Sequence, residues 1–178
     1  MAGTNGKQKT VRDMILSLGL IVLAAYVIYL FIPHDETEPD IKAVDYRVEL
    51  LTAQRAASYP VAAPEGLPDT WKPTSVRYKG QDGEAWHLGF HAPDGQYVAV
   101  EQSTQARARF IDDTSRGGSR TEVTQDIDGR TWVQYSGGRY SALVLDGADG
   151  GAGGSTTMVV GTGSFGQLAT MAGALKLD

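Results

Sequence analysis

The sequence predicts an α+β protein in which an N-terminal transmembrane helix precedes an antiparallel β-sheet domain with helices packed on one face. The first observation behind this prediction is an apolar segment, residues 14–32, that carries no charge. The second is a series of alternating apolar and polar runs joined by Asp-Gly turns, which is typical of β-hairpins. The chain contains no cysteine, which excludes disulfides, thiolate metal sites and a lipidated cysteine.

The apolar segment 14–32 is predicted to cross a membrane as a helix. At about 1.5 Å per residue its 19 residues nearly match the roughly 30 Å hydrocarbon core of a bilayer. A soluble helix of this length normally has a polar face, and this segment has none. The segment also exceeds the roughly 7–15-residue core of a signal peptide, and no small-x-small cleavage site follows it. We therefore favour an uncleaved signal anchor over a cleaved signal peptide.

The charges on either side of this segment predict its orientation. Residues 1–13 contain three basic side chains and one acidic side chain, whereas residues 33–40 are acidic. The positive-inside rule then makes residues 1–13 cytoplasmic and places the remainder, with 13 basic and 20 acidic side chains, outside the cytoplasm. We expect a single-pass protein of the cell membrane. The formal net charge of -5 argues against non-specific binding to nucleic acid.

Residues 33–58 are predicted to form a juxtamembrane spacer followed by a short helix. The acidic, proline-bounded part at 33–40 is typical of an extended spacer. Helix-favouring residues predict a helix near Val48–Ala57, although an alternating pattern before it also fits a strand. The exported α+β domain is predicted over residues 59–178. It begins with a proline-rich stretch, 59–73, which is unsuited to a central strand because proline lacks a backbone N–H.

Six or seven strands and two or three helices are predicted in the exported part. Thr104 is the expected N-cap of a helix over 105–112, and a closing helix runs from about Phe165 to Lys176. The glycine-rich residues 147–154 are expected to form a mobile loop before the last strand. The predicted strands are 74–79, 84–92, 96–103, 121–125, 130–136, 140–145 and 155–160. Core positions are predicted for the three tryptophans, Trp71, Trp86 and Trp132.

No motif assigns a catalytic, cofactor-binding or metal-binding residue. The segment Gly161–Gly166 matches G-x-G-x-x-G, but a dinucleotide site also needs a further parallel strand and an acidic residue about 20 positions on, and neither follows here. We interpret the segment as a strand-to-helix turn in which Ser164 caps the helix. The string Asp126-x-Asp128-Gly129 lacks the other ligands of a calcium loop and is interpreted as a hairpin turn.

Three histidines are the remaining candidates for chemistry. His87 and His91 fall on one face of a predicted strand, and at about 3.3 Å per residue they are too far apart to share one metal ion. His34 lies beside the predicted membrane segment. A modest basic cluster is predicted to form a solvated helix face. Its members are Arg107, Arg109, Arg116 and Arg120.

Several strings of residues resemble a known family. They are Tyr59-Pro60-Val61, Leu67-Pro68-Asp69-Thr70-Trp71, Trp86-His87-Leu88-Gly89-Phe90, Gly129-Arg130-Thr131-Trp132 and Val159-Val160-Gly161-Thr162-Gly163-Ser164. With the basic start and the single apolar segment, they resemble actinobacterial single-pass membrane proteins of domain-of-unknown-function family 4245 over almost the whole chain. The resemblance implies a location and a uniform exported domain. It implies no activity, cofactor or site residue.

Binding is the function that these observations favour. We expect a membrane-tethered, non-enzymatic extracytoplasmic domain that contacts an envelope protein or a small ligand through the sheet face that helices leave uncovered. Two alternatives remain open. One is an envelope-acting hydrolase that uses His87 or His91 as a base beside an acid such as Glu84, and the other is a passive structural subunit of the envelope. No cofactor is expected.

Overall fold

The computed structural model describes three stretches of the chain, residues 5–31, 42–147 and 154–177. The predicted spacer at 33–40, with His34, lies outside them, as do residues 148–153 of the predicted glycine-rich loop. Contacts divide the chain into two units, Met1–Asp40 and Ile41–Asp178.

The first unit contains one helix, α1 (Asn5–Phe31), within its described residues. The 20 residues Val11–Leu30 of this helix are apolar enough and long enough to cross a membrane. Both membrane anchors and N-terminal signal sequences have this property, so the structure shows one candidate membrane helix.

The second unit has the predicted α+β architecture. Its helices are α2 (Arg47–Ala56), α3 (Arg107–Ser115) and α4 (Phe165–Ala174). Seven strands form the main sheet: β2 (Lys72–Lys79), β3 (Ala85–His91), β4 (Tyr97–Ser103), β5 (Ser119–Ile127), β6 (Arg130–Ser136), β7 (Ser141–Leu145) and β8 (Thr156–Gly161). The sheet has the order β2-β3-β4-β8-β7-β6-β5 and is antiparallel at every pairing. The short strands β1 (Ala63–Pro64) and β9 (Leu175–Lys176) pair separately.

One face of the sheet carries the larger core. Alternate residues of β3 and β4 point into it, and Leu168 and Met171 of α4 cover them without any exposed surface. Ala53 of α2 and the proline-rich segment 59–73 complete this cover. All three tryptophans are buried, as predicted: Trp71, Trp86 and Trp132 are 7%, 0% and 1% exposed.

The opposite face carries a smaller core under α3. Phe110 and Ile111 of this helix pack against Met158 and Val160 of β8. The predicted placement of helices on one face therefore describes α2 and α4, whereas α3 covers the other face. The sequence pattern of a nine-residue helix gives its apolar stripe but not the side of the sheet on which the stripe packs.

Local details differ from the prediction at the start of α3 and at the end of α4. Thr104 is not a cap: its backbone N–H donates to the Gly83 carbonyl, and the N-cap of α3 is Ala106, without a side-chain hydrogen bond. The closing helix ends at Ala174 because Leu175 becomes extended and pairs with Pro64 of β1. This pairing with β1, a strand near the start of the domain, outweighs the helical preference of the last residues.

Candidate functional site

A cleft lies on the second face of the sheet, beside the region that α3 covers. Its volume is about 590 Å³, within the range of small-molecule sites. Side chains of β2, β3 and β4 form one wall, and the end of α3 forms the other. The principal strand residues are Arg77, His87, Tyr97 and Glu101, and those beside or within α3 are Asp113, Thr114 and Arg116.

Strand register brings the polar residues of this wall together. His87 lies directly opposite Arg77 in β2 and opposite Glu101 in β4. Directly paired residues of antiparallel strands project to the same face, so the three side chains meet. Their sequence neighbours in β3, Trp86 and Leu88, project into the main core on the other side.

A chain of hydrogen bonds runs through His87. The Nδ1 atom of His87 lies 2.6 Å from Oε1 of Glu101, and its Nε2 atom lies 2.8 Å from Oγ of Ser75. An ionised carboxylate only accepts hydrogen bonds, so Nδ1 carries the hydrogen in this pair. In the neutral imidazole Nε2 then accepts from the Ser75 hydroxyl. The side chains of His87 and Glu101 are each 17% exposed.

The Tyr97 hydroxyl lies close to Ser75, beside this chain of hydrogen bonds. Burial, followed by the charge of Glu101, raises the pKa of Tyr97 to about 12. Gly89 leaves the space that these groups occupy. A Cβ atom on Gly89 would lie 2.5 Å from Oγ of Ser75 and 3.1 Å from the Tyr97 hydroxyl. The network therefore depends on a glycine in the middle of β3.

Comparison with known protein families gives one match for this chain. The sequence matches the family described as "Protein of unknown function (DUF4245)" over residues 7–175. The chain belongs to the DUF4245 family. This match confirms the resemblance drawn from the sequence, while the actinobacterial origin stays a prediction. No curated protein and no solved structure matches the chain.

The groups around the histidines of this DUF4245 protein differ from those inferred from the sequence. The acid beside His87 is Glu101, whereas Glu84 accepts hydrogen bonds from the backbone and hydroxyl of Ser58, which lower the pKa of its carboxyl. His91 is half-buried, and its Nδ1 has no hydrogen-bond partner among the described residues. Within the same residues, no group of three histidine or acidic side chains could hold a metal ion.

Sequence reasoning missed Ser75 and Glu101. Its signal was the spacing of two histidines along one strand, and that spacing contains no information about the neighbouring strands. The register of the β2–β3 and β3–β4 hairpins would have placed both residues beside His87. The bulge between Pro73 and Ser75 makes the first of these registers hard to derive from turn length.

The G-x-G-x-x-G segment of the DUF4245 chain is a capped turn, as interpreted from the sequence. Ser164 accepts a hydrogen bond from the backbone of Gln167, whose side chain accepts one from the Ser164 backbone. Gly161 is needed for close approach, since a Cβ atom there would collide with the Tyr97 carbonyl oxygen. The string around Asp128 is likewise a hairpin turn, with positive φ at Asp128 and Gly129.

The four arginines of the predicted basic cluster take separate roles. Arg107 donates to the carbonyl of Leu145, whereas Arg109 forms an exposed ion pair with Asp113 at 3.5 Å. Arg116 ends α3 in the left-handed conformation and lines the cleft. Arg120 lies in β5, opposite Tyr135. Only Arg109 of these four has the role of a solvated helix residue.

Proposed function

We propose that this DUF4245 protein is a membrane-anchored, extracytoplasmic domain that binds a small polar ligand in the cleft between α3 and strands β2–β4. The observation that carries the proposal is the cleft itself. Its lining side chains are mainly polar, and they stand on paired strands and on a helix that packs on the sheet. Binding groups held on regular elements have well-defined positions, as ligand recognition requires.

The lining favours a polar molecule without a large net charge. Arg77 and Arg116 supply two positive charges, and Glu101 and Asp113 supply two negative charges. The cleft therefore offers hydrogen-bonding groups of both kinds to a ligand with its own donors and acceptors.

Two tyrosine rings add apolar surface to the same cleft. Tyr97 and Tyr140 have ring centroids 6.4 Å apart, and the Arg139 guanidinium lies 5.7 Å from the centroid of Tyr140. Aromatic rings with a polar tip can contact both the apolar and the polar parts of a small molecule. A ligand with both parts fits this lining best.

The extracytoplasmic position rests on the flanking charges. Lys7, Lys9 and Arg12 precede the uncharged segment 14–32, and an acidic segment follows it. Protease treatment of intact spheroplasts, combined with N-terminal sequencing of the protein, tests this part. We expect residues 42–177 to be digested from outside while the N-terminus stays intact. Protection of these residues would mean the opposite orientation, and a shortened N-terminus would mean a cleaved signal.

Ligand binding is tested on the full-length protein extracted from its own membranes in detergent. Native mass spectrometry compares the wild type with Thr114→Trp, which places an indole in the cleft, and with Asp112→Trp, which changes an exposed position of the same helix outside the lining. We expect low-mass adducts on the wild type and on Asp112→Trp, and their loss from Thr114→Trp. Equal adducts on Thr114→Trp, or none on any of the three proteins, would contradict binding in the cleft.

A further inference from the structure

We propose that Ser75, His87 and Glu101 form a nucleophile–base–acid triad that hydrolyses ester bonds of small molecules bound in the cleft. This inference rests on the binding function proposed above, because the same cleft must hold the substrate. Three features carry it: the order of the hydrogen bonds, the partial exposure of the groups, and the position of His87 in the lining.

The order of the hydrogen bonds is the one that activates a serine. Glu101 accepts from Nδ1 of His87 at 2.6 Å, and Nε2 of His87 lies 2.8 Å from Oγ of Ser75. The carboxylate fixes the imidazole tautomer and stabilises the cation that forms when the imidazole takes a proton. Distances of this size place nucleophile and base within direct reach of proton transfer.

Two members of the triad line the cleft, and the third, Ser75, is hydrogen-bonded to one of them. His87 and Glu101 both line the cleft, and their side chains keep 17% of their surface exposed. Ser75 is half-buried, is hydrogen-bonded to His87 and lies close to Tyr97, which also lines the cleft.

The reaction needs water as its only co-reactant. Oγ of Ser75 bonds to the ester carbonyl carbon while its proton passes to Nε2 of His87. The bond to the alcohol oxygen then breaks, and the departing alkoxide takes the proton from Nε2. Water attacks the resulting acyl-Ser75, giving one proton to His87, and the bond to Oγ breaks. Ser75 regains that proton and the carboxylic acid leaves.

Two groups beside Ser75 can stabilise the developing oxyanion. The Tyr97 hydroxyl lies close to Ser75, and Arg77 projects from β2 two residues after Ser75, opposite His87. A phenol and a guanidinium are both donors suited to negative oxygen. They act as positioned donors in this proposal and take no part in proton transfer.

The first experiment uses a fluorophosphonate probe and 4-nitrophenyl butyrate with the full-length protein in detergent. We expect the probe to label Ser75, identified by peptide mass spectrometry, and His87→Ala to lower both labelling and hydrolysis by roughly 100-fold or more. His91→Ala is the matched control, because it removes the other histidine of the same strand face and should change neither. Failure to label Ser75 in the wild type, or wild-type hydrolysis by Ser75→Ala, overturns the proposal.

A second variant separates catalysis from folding. Ser75→Cys gives the chain its only thiol, and a thiol beside a basic imidazole reacts faster with iodoacetamide near neutral pH because its thiolate is stabilised. We expect alkylation of Ser75→Cys to exceed that of Thr74→Cys by about 10-fold, and the excess to vanish when His87→Ala is added. Thr74 is a fair control, since it is half-buried in the same strand and donates to the Gly89 carbonyl. Equal rates in the two thiol variants count against the triad.

The failures of the two proposals are distinguishable. Low-mass adducts on the wild type that disappear in Thr114→Trp, without labelling or activation at position 75, would leave a binding cleft and remove the hydrolase. Absence of adducts together with absence of labelling would remove both.

Discussion

The Nδ1 atom of His87 and the Oε1 atom of Glu101 lie 2.6 Å apart across β3 and β4, where the two residues are direct register partners. The pair is 14 positions apart in sequence, and only the antiparallel hairpin brings it together. Because Phe90 and Leu88 of β3 are fixed in the main core on the opposite face, the position of His87 is set by packing as well as by pairing.

Replacement of Trp86 by alanine should lower the free energy of unfolding by about 3–5 kcal/mol. The indole is fully buried, and its N–H donates to the Ala62 carbonyl at 2.9 Å. Chemical denaturation of the full-length protein in detergent measures the effect. Val123→Ala is the control, because this side chain is 51% exposed and should change the value by no more than about 0.5 kcal/mol. Equal stability of the two variants would contradict the assigned core.

Gly161→Ala should destabilise the centre of the sheet. A methyl group there would overlap the Tyr97 carbonyl oxygen, which accepts a hydrogen bond from Thr162, so β4 and β8 must separate locally. We expect a loss of about 1–3 kcal/mol, as for other overpacked sites, seen as a lower melting temperature by circular dichroism. Gly80→Ala is the comparison, since its nearest side-chain atom is 3.6 Å away and its φ is ordinary. A melting temperature unchanged in both variants would contradict the close approach.

Gln102→Leu should be destabilising even though it makes the core more apolar. The Gln102 amide is 1% exposed; it accepts from the Ala62 backbone and donates to the Pro60 carbonyl and the Thr157 hydroxyl. Removing it leaves these groups buried without partners, at a cost of about 1–3 kcal/mol for each one that finds no substitute. Urea unfolding midpoints measure the loss, and Gln96→Leu at an exposed turn serves as control. If the two variants unfold at the same urea concentration, the Gln102 side chain does not stabilise the packing of the proline-rich segment 59–73.

Stability should fall at high pH, in part because of Tyr97. Burial raises its pKa to about 12 from a usual value near 10. Between these values the unfolded chain has released the Tyr97 proton and the folded chain still holds it, so folding loses stability as pH rises. Burial raises the pKa of Tyr59 in the same direction. Unfolding free energies measured across pH 10 to about 12 should fall less steeply for Tyr97→Phe, and an unchanged slope would oppose this assignment.

The strands were predictable because their information is local. Alternation in Trp86, Leu88 and Phe90 identifies a half-buried strand, and the Asp-Gly turns fix where the chain reverses. The helix cap at Ser164 was equally predictable, because its partner in the capping box, Gln167, lies only three residues further along the chain.

The candidate site was not predictable for the opposite reason. Ser75, His87 and Glu101 come from three strands, and each looks like an ordinary polar residue of a solvent-facing strand position in sequence. Their meeting depends on two hairpin registers, one of them shifted by a bulge near Ser75. The position of α3, whose Phe110 covers part of the same face, also depends on tertiary packing alone.

The place of β8 has a consequence for the order in which the domain can fold. Strands β2–β3–β4 and β5–β6–β7 are each consecutive meanders, but they are joined only through β8, the last strand of the sheet in the chain. During synthesis both meanders can form before β8 is available, so that β4 and β7 still expose unpaired backbone edges. Such edges can pair with strands of other chains. Insertion of β8 closes both edges at once. Its long-range pairings make this closing step the slow one, and they make the sheet cooperative from end to end.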